Sequence, residues 1–156
     1  MRILLVLATT VLPYSVMVGQ HVYSFNDPAS EPIRAMGLDS IYRSGAHVDS
    51  TKAVFGTEQE EFFDAYQGML QDLGKYLKAH DFIWEQPVKG FNRIYFSKEG
   101  KIDYFLYSIR PGQLTVEQEK RFDELLKGFV ADYRFPMTAE VGFAQCSGVT
   151  YMPPKK

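Results

Sequence analysis

A single cysteine and three histidines are all that 156 residues hold of the side chains from which small metal and thiol sites are built. With Cys146 alone, no internal bridge can form, so the chain has no disulfide framework. His21, His47 and His80 are scattered, without a His-x-x-x-His pair or a cysteine partner. A zinc site needs three or four ligands at defined geometry, so no metal is expected and the three rings read as solvent-facing. No cofactor is expected either. No Gly-x-Gly-x-x-Gly, phosphate-binding loop or Gly-x-Ser-x-Gly occurs. Excess positive charge is lacking too: 17 basic against 19 acidic residues give a net charge of −2. Nucleic acid as a partner would call for clustered Lys and Arg, so none is expected.

A long apolar run is present only at the start. Met1-Arg2 carries one positive charge, residues 3–12 are almost unbroken apolar, and Pro13, Ser15 and Gly19 follow. That is the layout of a secretory signal peptide over 1–19, cleaved near Gly19. The run is shorter than the ~20 apolar residues a membrane-spanning helix needs. Membrane contact is expected only if the segment stays uncleaved; the plainer alternative is a buried first strand or helix. The mature chain would be periplasmic or secreted, with Gln20 first.

What the sequence does have is aromatic and apolar material, with 12 Phe, 10 Tyr and 46% hydrophobic residues. That is enough for one core. Residues 20–56 sustain no period and are punctuated by Pro28, Pro32, Gly37, Gly45 and Gly56, so an irregular leader is expected. Thr57-Glu58-Gln59-Glu60 reads as a capping box, followed by Phe62, Phe63, Tyr66, Met69, Leu70, Leu73, Tyr76 and Leu77 along one helical face. Residues 91–96 and 102–109 read as strands joined by Ser97-Lys98-Glu99-Gly100, a hairpin loop. Alternation points Ile94 and Phe96 to one face and Phe91 and Tyr95 to the other. A second capping box, Thr115-Val116-Glu117-Gln118, opens a helix with Phe122, Leu125, Leu126, Phe129 and Val130 on its stripe. A last strand is expected within 139–151, bent or bulged at Gly142 or Gly148, and 153–156 should fray.

The spacing therefore predicts an α+β domain over 57–152. Its elements run α-β-β-α-β, with two helices packed on a three-stranded, mainly antiparallel sheet.

Candidate sites are few. Acidic residues crowd the first turns of both helices, where they complement the helix dipole without any catalytic role. Asp103 interrupts an apolar strand and reads as an edge residue that deters pairing. Cys146 reads as a buried thiol inside a strand, with a bridge between two chains as the alternative. Trp84, Tyr95, Tyr104 and Tyr107 could form a stacking face for a sugar or lipid, against the plainer reading that they are core.

Residues 93–136 resemble the C-terminal domain of the TonB family of envelope proteins. The pieces are Lys98-Glu99-Gly100-Lys101-Ile102 between two strands, the helix from Thr115, and Tyr133-Arg134-Phe135-Pro136 at its end. The proline stands one place nearer the phenylalanine than in the family pattern, and no proline-rich spacer precedes the domain. The resemblance implies a non-catalytic envelope module whose sheet edge takes up an extended peptide or envelope protein by strand addition. The strand carrying Val141, Phe143, Val149 and Tyr151 would be that edge.

Overall fold

A computed structural model describes residues 21–154 of the chain. The expected signal peptide, 1–19, and the last two residues of the tail lie outside the described residues. The elements in chain order are β1 (His21–Ser24), α1 (Glu31–Ala35), α2 (Leu38–Ile41), β2 (Arg43–Ser44) and α3 (Gln59–Ala79). Then come β3 (Val88–Phe96), β4 (Ile102–Ile109), α4 (Val116–Asp132) and β5 (Phe143–Tyr151).

The fold is α+β, built on one mixed sheet of five strands in the order β1-β4-β3-β5-β2. β3 lies antiparallel between β4 and β5, which is the expected three-stranded sheet. The leader corrects that expectation: it adds β1 parallel to β4 and β2 parallel to β5. These strands are four and two residues long, too short to show a period, and their partners' open edges supply the pairing.

α3 and α4 cover one sheet face. Phe62, Met69 and Leu73 of α3 and Phe122, Leu126 and Val130 of α4 are buried against Ile94, Phe96, Phe105 and Phe143. On the opposite face the leader brings Leu38 of α2 onto Tyr95 and Leu106, with Ile33 and Tyr42 beside them. Arg93 and Tyr95 both bond Asp39, which ties this leader helix to the sheet. Both faces of the hairpin are thus apolar because both are covered.

Local signals fare unevenly. Thr115 accepts from the Gln118 amide at 3.1 Å while Gln118 accepts from the Thr115 amide at 2.9 Å, the expected reciprocal cap. The Thr57 box does not form. Residues Gly56–Glu58 make a 3₁₀ turn, and α3 starts at Gln59 without a side-chain cap. The Gln59 side chain instead accepts from the His47 amide at 2.7 Å and donates to the Gly56 carbonyl at 3.0 Å, clamping the leader. Gly100 sits at φ +79°, with the Phe135 carbonyl oxygen 2.5 Å from where a Cβ would stand.

The bulge also lies elsewhere than expected. β5 pairs with β3 in continuous register from Phe143 to Tyr151, through Gly148. The register instead shifts where Tyr95 faces Tyr104 and Phe96 faces Ile102, leaving Asp103 as the extra residue. Asp103 is therefore a bulge residue on an interior strand and not an edge residue. Its carboxylate accepts from the Tyr42 hydroxyl at 2.9 Å.

Candidate strand-docking edge

Among the described residues, β5 is bonded along its whole length on one side and only at its start on the other. β2 reaches it at Phe143 and Ala144. There the Arg43 amide donates to the Gly142 carbonyl at 3.1 Å and the Gly45 amide to the Ala144 carbonyl at 2.8 Å. Even-numbered residues of β5 thus turn their backbone groups outward, and the alternation continues through Cys146, Gly148 and Thr150. The Cys146 carbonyl accepts from Gln145 Nε2 at 3.0 Å. No strand among the described residues covers Gly148 or Thr150 on that side. β1, at the other edge, is only four residues long, which blunts it as a pairing surface.

The open half of β5 runs beside a groove of about 900 Å³ between the strand and α3. Leu70, Ile83, Trp84, Val149, Tyr151 and Met152 give it an apolar lining. Ile83 and Met152 are 54% and 62% exposed, unusually high for large apolar side chains in a chain with this much core. Gly74 of α3 opens on this groove, with no atom within 4 Å of where its Cβ would be. The missing side chain leaves room beside the edge.

The groove floor is held rigidly. Tyr151 stacks on Trp84 at 4.7 Å between ring centres, and Trp84 packs on Phe122 at 5.4 Å. The Tyr151 hydroxyl exchanges hydrogen bonds of 3.1 and 3.2 Å with fully buried Asn92. One turn earlier along α3, the Tyr66 and Ser147 hydroxyls lie 2.8 Å apart. Burial pushes the Tyr66 hydroxyl up to about 12 and the Tyr151 hydroxyl further. Both stay neutral across the physiological range.

The residues expected to meet a partner are placed differently from one another. Val149 borders the groove, and Tyr151 offers it part of a ring whose hydroxyl is buried. Val141 is 38% exposed but precedes the strand. Phe143 is a correction: it is fully buried between Phe55, Phe96 and Phe135, and its edge is taken by β2.

The four expected stacking residues do not share a face. Trp84 and Tyr107 are buried on the helix side, where the Tyr107 hydroxyl donates to Asp123 at 3.2 Å. Tyr95 and Tyr104 lie on the other side, packed with Tyr42 beneath the leader. The sheet divides Tyr107 from Tyr95 and Tyr104, because alternate positions along paired strands point to opposite faces, while Trp84 precedes β3 and packs on Phe122 of α4.

Cys146 is likewise corrected, since its side chain is exposed. It stands across from Arg93 in a depression lined also by Asp39, and among the described residues no histidine lines that depression. Among the described residues, no three His, Cys, Asp or Glu side chains are grouped to hold a metal ion, and no helix is long and apolar enough to cross a membrane.

The sequence stripe contained Leu70 but gave no sign that it would be only partly buried. Gly74 was the available signal: a glycine in mid-helix weakens the helix and has a packing reason when it is kept. No protein-family model, curated protein or solved structure matches the chain.

Proposed function

We propose that the chain is an exported, non-catalytic interaction module that takes up an extended segment of a partner protein along β5. The observation that carries this is the backbone of Gly148 and Thr150, which no strand among the described residues covers, beside an apolar groove. Main-chain groups bind any extended segment, while the groove selects every second side chain. The charged and apolar N-terminal run supports export, and the partner is then an envelope or extracellular protein. The resemblance of 93–136 to the TonB C-terminal domain supports the same mode of binding.

Thr150→Pro is the decisive variant. Its amide points away from β3, so proline removes an outward donor without breaking a bond of the inner ladder. The full chain and this variant would be used side by side as cross-linking bait in an envelope extract. A defined partner should be retained by the unaltered chain and lost by the variant, with identical circular dichroism. Equal capture by both would refute strand addition here.

A further inference from the structure

The reading above leaves open which extended segments the edge prefers, and the surroundings of Gly148 and Thr150 decide that. A second depression, of about 620 Å³, lies on the opposite sheet face. Gly148, Val149 and Thr150 line both it and the groove. The free edge is therefore a ridge between two hollows. A strand laid against it sends alternate side chains into one and then the other.

The two hollows differ in chemistry. The groove on the α3 side is apolar, lined by Leu70, Ile83 and Val149. The lining of the second hollow includes Lys89 and Arg110, together with Phe91. Neither cation has an ion-pair partner among the described residues. Lys75 and Lys78 stand at the groove, Lys75 already bonded to Asp72 at 2.8 Å. Among the described residues, no Asp or Glu lines either hollow.

That bias runs against the composition, in which acidic residues outnumber basic ones by 19 to 17. It also contrasts with the cavity at the start of α4, which Asp81, Glu85, Glu117 and Glu124 line beside Lys120 and Arg121. Positive charge is thus gathered around the stretch of β5 that no strand among the described residues covers. Like charges in a partner would be repelled there, and carboxylates would be attracted.

Resting on the strand-addition reading, we infer that the β5 edge recognises an extended segment in which apolar residues alternate with acidic ones. The apolar set enters the α3 groove. The acidic set lies over Lys89 and Arg110 on the opposite face. Side-chain parity alone then distinguishes such a segment from one of equal composition arranged in blocks.

The test uses the full chain and short labelled peptides that alternate valine with glutamate, lysine or serine, read by fluorescence anisotropy. The glutamate peptide should bind about tenfold more tightly than the lysine peptide, as two rim ion pairs would give. Added salt should narrow the gap. The double variant Lys89→Glu, Arg110→Glu should reverse the order, and Thr150→Pro should weaken both. Equal binding of all three peptides, abolished by Thr150→Pro, would leave strand addition standing and overturn the charge preference. Glutamate-peptide binding that ignores Thr150→Pro, or no binding by any peptide, would overturn both.

Discussion

Asn92 lies fully buried on the helix-facing side of β3, and its amide meets the Tyr151 hydroxyl through two hydrogen bonds. Asn92→Ala would strand that hydroxyl without a partner and should cost about 2 kcal/mol, seen as a lower urea midpoint. Asp103 shows the opposite balance. Burial raises its carboxyl above the usual range, against the Tyr42 hydrogen bond that lowers it. A folded pKa above the unfolded one means that stability is fully present below the unfolded value, near about 4, and lost as pH rises through the folded value. Asp103→Asn keeps an acceptor for Tyr42 and removes the charge. The variant should gain on the unaltered chain between acid and neutrality in urea unfolding; a constant difference across that range would show that the Asp103 charge does not set it. The sequence marked Asp103 as an anomaly, but only the bulge explains it. A register shift depends on two strands at once, and one strand's pattern cannot contain it.

At the scale of elements, the two helix starts were read from the same motif and turned out differently. Thr115→Ala should cost about 1 kcal/mol, because both hydrogen bonds of that cap form. Thr57→Ala should stay within about 0.5 kcal/mol, since Thr57 is exposed in a 3₁₀ turn and caps nothing. Thermal unfolding of the two variants checks the contrast. The leader explains it: Gln59, drawn to the His47 amide, is used for a contact that no local motif records. Gly74 separates stability from binding. Gly74→Ala should stabilise the chain by about 1 kcal/mol. Gly74→Phe should fill the groove and weaken the glutamate peptide while the melting temperature holds. A melting temperature that falls with Gly74→Phe would show that the space is core rather than groove.

For the whole molecule, buried tyrosines set the alkaline limit. Burial pushes Tyr66 and Tyr95 up to about 12, and Tyr42, Tyr107 and Tyr151 further. A raised folded pKa leaves stability intact below the unfolded value of about 10 and removes it as pH rises through about 12. In absorbance, these five tyrosines should ionise together with the loss of far-ultraviolet circular dichroism. The clusters joined by these rings include both the helix-covered face and the leader-covered face, so one transition is expected for the described fold.

The sequence by itself determined the order helix, strand, strand, helix, strand from 57 onward, the second helix cap and the alternation of Ile94 and Phe96 against Tyr95. Each is a local property, because the spacing of apolar residues fixes which side chains share a face once the backbone is helical or extended. The tertiary structure alone decided that the leader adds a strand at each edge, that β2 covers only the start of β5, and that Trp84 and Tyr107 are separated from Tyr95 and Tyr104. Strand pairing is made by backbone groups that every residue carries. Which edge is covered, and where it is left open, depends on which distant segments the fold brings alongside it.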